Sequence, residues 1–271
     1  PVVAIEKTNG RVRLCGDYKV TVNTVLEPGP YPLPTADDLF GQLAGGKYFA
    51  KLDMKEAYLQ LEVEEKSREY LTLNTHQGLF RPTRLQYGIS SAPAQFQAIM
   101  DQILAGIPGV LCYLDDVLCA GKNEEHHWQL VEEVVKRFAN HNIKVNLKKS
   151  AFLQKSVTYL GHVVDEEGLH PSLEKVKAIT DAPEPKNLGE LRSWLGLVGY
   201  YGKFIPLLAE KLKPLNLLLR KDTKWMWSED CRKAFQKTKE ALSGEQVLAH
   251  YDPKLALKIA TDASAYGIGA V

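Results

Sequence analysis

The sequence predicts an α+β fold, short paired strands with helices between them followed by an all-helical stretch. Three observations carry that expectation. Short apolar or alternating runs bounded by turn residues recur from Val2 to about residue 170, the pattern of paired strands. Beyond Pro183 and Pro185 apolar residues recur at helical spacing, from Leu188 to Leu242. Residues 255–271 then return to a strand-turn-strand pattern rich in Gly and Ala.

Residues 2–5 and 11–20 are expected to pair as a hairpin through Thr8-Asn9-Gly10, because Asn-Gly supplies the positive φ of a tight turn. Pro28, Pro30, Pro32 and Pro34 forbid helix and central strand, which leaves an extended tether. A short helix over 37–43 closes at Gly45-Gly46, and residues 47–53 then alternate as a strand ending on Asp53. Residues 69–74 and 79–85 read as a second hairpin turned at His76-Gln77-Gly78. Ser90-Ser91 opens a helix with Pro93 in its first turn, burying Phe96, Ile99, Met100 and Ile103.

The stretch 110–120 is apolar on both sides of Asp115-Asp116, which predicts two short strands with the carboxylates at or near their connection. Residues 123–140 form a helix with Val131, Val134, Val135 and Phe138 on its buried face. Residues 157–164 and Leu169 make a further small hairpin across 165–168. The prolines within 181–187 mark a linker and a boundary near 181. A helical segment follows from Asn187, with Glu190 in capping-box position, and a last helix over about 229–242.

At 271 residues the chain is long for one compact domain, so two cores, or one large mixed core with an appendage, are expected. Apolar residues at 45% against 25% charged residues are an ordinary globular balance that excludes extended disorder. No run approaches the ~20 apolar residues that span a bilayer, and no signal-peptide pattern opens the chain, so membrane and targeting roles are set aside. Cys15, Cys112, Cys119 and Cys231 show neither ligand pairs nor a disulfide framework, which fits a reducing, intracellular setting. A net charge of +1 gives no global signature of a polyanion partner. Two local clusters, Lys144/Lys148/Lys149/Lys155 and the basic residues from Arg220 to Lys239, read equally as phosphate contacts or solvated helix faces. His126-His127 does not read as a metal site, since adjacent helical residues do not face one point and no Cys or His lies four residues on.

Two or three aspartates on adjacent strand ends suffice to hold Mg²⁺ for phosphoryl transfer. Asp53 closes one strand and Asp115-Asp116 sits within another hairpin, so a sheet pairing these strands would gather the acids. Neighbouring acids on a strand point to opposite faces, so Asp115 and Asp116 serve one site only if the backbone turns there. Spacing alone is more often that of a solvated hairpin turn.

Tyr113-Leu114-Asp115-Asp116 resembles the Tyr-x-Asp-Asp box of reverse transcriptases. Further blocks occur in that family's order: Phe49-Ala50-Lys51-Leu52-Asp53 with Ala57-Tyr58-Leu59-Gln60; Leu85-Gln86-Tyr87-Gly88 through Ala92-Pro93-Ala94-Gln95-Phe96-Gln97; and Tyr159-Leu160-Gly161-His162. Their variants, with Tyr31-Pro32-Leu33-Pro34 and Asp37-Asp38-Leu39, look like the gypsy class of LTR retrotransposon polyproteins. The resemblance implies a right-hand polymerase fold with an antiparallel palm sheet and a helical thumb. Fingers and palm would occupy 1–181, thumb and connecting helices 182–245, and the truncated start of a ribonuclease H domain 246–271.

By the same resemblance, Asp53 and Asp115 would ligate two Mg²⁺ ions, replaceable by Mn²⁺, with Asp116 a weaker ligand or electrostatic support. Arg13, helped by Lys7, would meet the triphosphate, where a planar guanidinium grips phosphate bidentately. Tyr58 would lie beneath the sugar and exclude a 2′ hydroxyl, with Met54 and Tyr87 completing the nucleotide site; Tyr87 and Gln86 depart from the family's usual Phe and Pro. Leu114 and Tyr113 would touch the primer end, and the turn over Tyr159, Leu160, Gly161 and His162 would hold its backbone. Lys203, Lys211 and Lys213 would be free to contact duplex phosphates. Trp194, Tyr200 and Tyr201 read as core rather than base-stacking residues. Implied partners are an RNA or DNA template, a DNA or tRNA primer and dNTPs, with a dimer or polyprotein neighbours also compatible and no membrane, in an intracellular, cytoplasmic particle with access to the nucleus. Asp262 resembles the first metal ligand of ribonuclease H, but its companions would lie beyond Val271, so that activity is not expected. The rival expectation is a relic that binds RNA-DNA duplex without turnover.

Overall fold

Alternating residues open the chain as a two-stranded antiparallel hairpin, β1 (Val2–Glu6) and β2 (Val12–Gly16). The computed structural model describes residues 2–6, 10, 12–27, 29, 31–221, 223–244, 247–250, 256, 261–264 and 267–270, the last two stretches and 256 aside with their side chains. Thr8-Asn9 at the expected turn lies outside them. Strand β2 ends at Gly16 rather than residue 20, because Tyr18 turns into the core and its hydroxyl donates to the Leu71 carbonyl at 3.0 Å. The described residues of the proline tether carry no regular element, and Thr35 then starts α1 (Ala36–Phe40) with a complete capping box to Asp38.

The central sheet runs in the order β6 (Val110–Tyr113), β7 (Asp116–Gly121), β3 (Tyr48–Asp53), β8 (Ala151–Gln154), and every pair is antiparallel. Of its two middle strands, β7 is buried on both faces from Val117 onward, which is why it reads as a nearly continuous apolar run, whereas β3 keeps Lys51 and Asp53 half-buried. Ala50, Leu52, Val117 and Cys119 pack on one face against the helices α3 (Ala92–Leu104) and α4 (Glu124–Asn140). Phe49, Leu118 and Ala120 face the opposite core. Asp53, Lys51 and Asp116 share that second face by strand alternation.

Between the central strands and α3 lie a one-turn α2 (Glu65–Arg68) and a hairpin of β4 (Leu73–Thr75) and β5 (Gly78–Phe80). This hairpin is shorter than the sequence pattern suggests, since residues 69–71 coil as a 3₁₀ turn that buries Leu71. Helix α3 buries Phe96, Met100 and Ile103 as expected, with Gln97 unexpectedly among them. Helix α4 buries Val131, Val134 and Phe138 but leaves Val135 45% exposed, and His127 takes an inward place instead.

The stretch 157–164 is not one strand. It folds back at Leu160-Gly161 into β9 (Val157–Tyr159) and β10 (His162–Val164), followed by β11 (Gly168–Pro171), in a second antiparallel sheet. Helix α5 (Leu173–Thr180) leads to the helical stretch α6 (Leu188–Tyr200), α7 (Leu208–Leu217) and α8 (Glu229–Ser243). Asn187 caps α6 by accepting the Glu190 N–H at 2.9 Å, while Glu190 reaches back to the Lys186 N–H at 2.8 Å. The α6–α8 core is continuous with the face of the central sheet carrying Phe49, through Tyr159, Val164, Trp194 and Tyr201. A two-residue strand β12 (Leu248–Ala249) adds to β11, and β13 (Thr261–Ser264) pairs with β14 (Gly267–Ala270). Among the described residues no helix is long and apolar enough to cross a membrane.

Candidate active site

The acidic site is assembled by strand register. Asp53 ends β3, Asp116 begins β7, and the two are direct cross-strand partners. Between β6 and β7 only Leu114 and Asp115 make the reversal, with Leu114 at φ 52. A left-handed backbone costs a non-glycine residue about 1–2 kcal/mol, and it removes Asp115 from the alternation that would have turned it away from Asp116. The Asp115 carbonyl accepts the Met54 N–H at 3.2 Å, tying the turn to the residue after Asp53. Asn146 and Ser150 fix Asp53 itself, the first donating its N–H to the Asp53 carbonyl at 2.8 Å and the second accepting the Asp53 N–H at 3.1 Å.

Gln97 holds this reversal from beneath. Fully buried on α3, its Oε1 accepts the Leu114 N–H at 2.7 Å, and its Nε2 donates to the Cys112 carbonyl at 2.9 Å and Asp101 Oδ1 at 2.8 Å. In the sequence Gln97 stands only as the last residue of the Ala92-Pro93-Ala94-Gln95-Phe96-Gln97 block. Its signal was an amide on the buried face of an apolar helix, which must find partners there.

The three acids are not equivalent. Burial pushes the Asp115 carboxyl up, and the negative charges of Asp116 and Asp53 add to that, against the pull of Arg13. Asp116 instead pairs with Lys51 Nζ at 3.0 Å, a partner two residues before Asp53 on the same strand face. Among the described residues no three His, Cys, Asp or Glu side chains are gathered closely enough to hold a metal ion. The donor chemistry of Asp53 and Asp115 suits a hard dication, since both are carboxylates.

Beside the acids lies an aromatic stack. The Arg13 guanidinium sits 4.7 Å from the centre of the Tyr87 ring, Tyr87 packs on Tyr58 at 5.3 Å, and Tyr58 meets the edge of Phe96 at 5.4 Å. Gly88, at φ +100, allows this: a Cβ there would fall 2.2 Å from the Gly16 carbonyl oxygen, so this position accepts no side chain. Tyr58 and Tyr87 are pushed up by burial, with Asp115 acting on both. Met54, expected at the nucleotide, is buried in the core behind the sheet, where strand alternation after Asp53 directs it. Lys7 lies outside the described residues.

At the second expected contact, the side chains of Tyr159 and His162 are buried and cannot reach a primer. Tyr159 donates its hydroxyl to the Asp116 carbonyl at 3.4 Å, and His162 packs among Phe40, Tyr200, Tyr201 and Phe204. Only Leu160 and Gly161 of that turn are partly exposed. The three helical lysines are not free either. Lys203 pairs with Asp37 at 2.8 Å, Lys211 donates to the Pro206 carbonyl at 2.6 Å, and Lys213 also has a partner. Trp194 and Tyr201 are core residues, whereas Tyr200 is half exposed. His127 joins three elements, accepting the Leu153 N–H at its Nε2 (3.1 Å) and contacting the Tyr48 carbonyl through Nδ1 (3.3 Å).

Residues 5–164, which hold all three acids, match the family model of the reverse transcriptase (RNA-dependent DNA polymerase). The chain belongs to the reverse transcriptase family. Residues 227–271 match the RNase H-like domain found in reverse transcriptase. Relatives include the Tf2-3 and Tf2-7 transposon polyproteins of Schizosaccharomyces pombe, each 36% identical over 273 residues. Each alignment covers all of this chain and 20% of the polyprotein, so this reverse transcriptase sequence spans about a fifth of those relatives. These retrotransposon relatives agree with the gypsy-class resemblance.

Among solved structures, a foamy viral protease-reverse transcriptase in complex with double-stranded DNA superposes with a TM-score of 0.90 at 26% identity, over 97% of this chain and 47% of that one. The foamy viral protein in complex with RNA/DNA hybrid gives 0.81 at 26% identity, over 97% and 36%. The fold is therefore the α+β polymerase fold. The expected ribonuclease H residue Asp262 falls on β13, where the described backbone includes it and its side chain lies outside the described residues.

Proposed function

We propose that this reverse transcriptase chain is an RNA-directed DNA polymerase that also copies DNA templates, extending a primer by nucleotidyl transfer from dNTPs. The observation that carries the proposal is the pairing of Asp53 with Asp116 across the sheet, with Asp115 set in a left-handed reversal beside them. Asp53 and Asp115 would hold two Mg²⁺ ions, or Mn²⁺, which supply charge neutralisation and positioning at the triphosphate and the primer 3′ hydroxyl. Asp116, paired with Lys51, would act as electrostatic support.

Arg13 would grip the triphosphate, its plane oriented by Tyr87, and Tyr58 would form the floor beneath the sugar. Leu114, Tyr113, Leu160 and Gly161 would meet the primer strand. The foamy viral proteins in complex with DNA and hybrid duplexes support nucleic acid as the partner class. We assign fingers and palm to 1–181, thumb and connecting helices to 182–245, and the start of the ribonuclease H-like domain to 246–271. We place the protein in an intracellular retrotransposon particle.

The Lys51–Asp116 pair favours one other reading, a duplex-binding relic in which an ammonium stands in for metal charge. Primer extension on an RNA template with Mg²⁺ and four dNTPs separates the two. Extension that falls on the order of 10³-fold in Asp115→Asn, with duplex binding retained, supports the polymerase. Duplex binding without extension in the unaltered chain supports the relic.

A further inference from the structure

We propose that the thumb sets the primer-holding turn, the hydroxyls of Tyr200 and Tyr201 on α6 acting as positioning groups for Leu160 and Gly161. The proposal rests on the polymerase reading above, because it takes that turn as the primer contact. The register of β9 and β10 pairs Tyr159 with His162, which leaves a two-residue loop. Both loop residues have positive φ, 45° at Leu160 and 70° at Gly161. Loops of that type favour Asn-Gly, and a leucine in the first position persists only where its surroundings over-determine it.

The surroundings here come from the thumb. Tyr200 donates its hydroxyl to the Leu160 carbonyl at 2.6 Å, and Tyr201 donates to the Gly161 carbonyl at 2.7 Å. His162 Nδ1 approaches the Leu160 carbonyl at 2.9 Å, so that oxygen is held from two sides. The two tyrosines are the last residue of α6 and its C-cap, and their rings meet edge to face at 5.0 Å. His162 packs against both of them and Phe204 in tilted ring contacts at 5.3, 5.4 and 5.7 Å.

The same joint is anchored at both ends. Lys203, two residues past Tyr201, pairs with Asp37 and lies 4.9 Å over the Phe40 ring, which ties the turn after α6 to α1. On the other side Tyr159, directly before the loop, donates to the Asp116 carbonyl. The backbone of the loop, held by α6 on one side and by Tyr159 on the other, therefore connects α6 to the acidic strand. A rotation of α6 on duplex binding would carry the two hydroxyls, and with them the loop that sets the primer end against Asp115.

The test is Tyr200→Phe/Tyr201→Phe, which keeps both rings and removes only the two donors. With 2-aminopurine at the primer terminus of a bound duplex, its fluorescence should change relative to the unaltered chain, reporting a displaced primer end without any turnover. Single-nucleotide incorporation should fall about tenfold in maximal rate, with the dNTP concentration at half-maximal rate unchanged. Restoring either tyrosine should recover part of the rate. An unchanged 2-aminopurine signal, or a lowered Tm with an unchanged maximal rate, overturns the proposal, the latter by showing a purely structural role. If the unaltered chain does not extend primers, the polymerase reading fails, and the fluorescence change alone decides the coupling.

Discussion

Leu114 between β6 and β7 and Leu160 between β9 and β10 both sit at positive φ in two-residue reversals, yet they are anchored in different ways. Leu114 is held by Gln97, from the helix that packs on the same sheet. Leu160 is held by Tyr200, from a helix 40 residues further along the chain. The Leu114 turn is thus braced by a helix packed on its own sheet, whereas the Leu160-Gly161 turn is braced by the end of α6. On the proposed polymerase reading, the first would keep the acids in a constant arrangement and the second would let a primer contact respond to the duplex. A third leucine at positive φ, Leu153 on β8, follows the local pattern, with its N–H bound to His127.

The largest effect that would sharpen this contrast is expected from Gln97→Leu. It strands the Leu114 N–H and the Cys112 carbonyl in a buried setting, which costs about 2–4 kcal/mol. Chemical denaturation should show that loss, and primer extension should fall with it. Undiminished stability would mean that strand pairing alone holds the acidic turn, and the difference between the two leucines would disappear.

A smaller effect concerns pH. Burial holds the His127 imidazole below its ordinary range, and Nε2 must stay unprotonated to accept the Leu153 N–H. The folded pKa is depressed, so the contribution to stability is complete above the unfolded value of about 6.5. It is lost as pH falls, because the unfolded chain takes up the proton first. His162, lowered first by burial and further by Lys203, has the same sign. The melting temperature should be level above pH ~6.5 and decline below it, with a shallower decline in His127→Gln. An identical acid limb in that variant would remove His127 from the account of Leu153.

The smallest effect is expected from Leu160→Gly. Relief of the left-handed backbone, about 1–2 kcal/mol, is offset by glycine's greater unfolded entropy and by lost contacts of a half-buried leucine. Stability should change by less than about 1 kcal/mol. A loss well beyond that would show that the side chain, rather than the two tyrosine hydroxyls, fixes the loop.

Much of the central sheet was legible before the structure. The alternation of 48–53, the apolar runs around Asp115-Asp116 and the helical periods of α3, α4, α6 and α8 are local patterns, and they mark these elements to within a few residues. The requirement for a backbone turn between Asp115 and Asp116 was also deducible, since period-two alternation forbids two neighbouring residues on one face. Strand β8 escaped notice because four residues beside a lysine cluster show no period of their own; they become a strand only against β3.

By itself, then, the sequence determined where the acids stand along the chain and which segments carry a strand or helix period, because covalent order and side-chain spacing are local properties. Tertiary structure alone decided that Asp116 pairs with Lys51, that Gln97 braces Leu114, that Met54, Tyr159 and His162 turn inward, and that Lys203 is tied to Asp37. Each of these is a contact across strands or between helices distant in sequence. Burial and charge pairing depend on what the rest of the chain brings alongside a residue, and no local period encodes that neighbour.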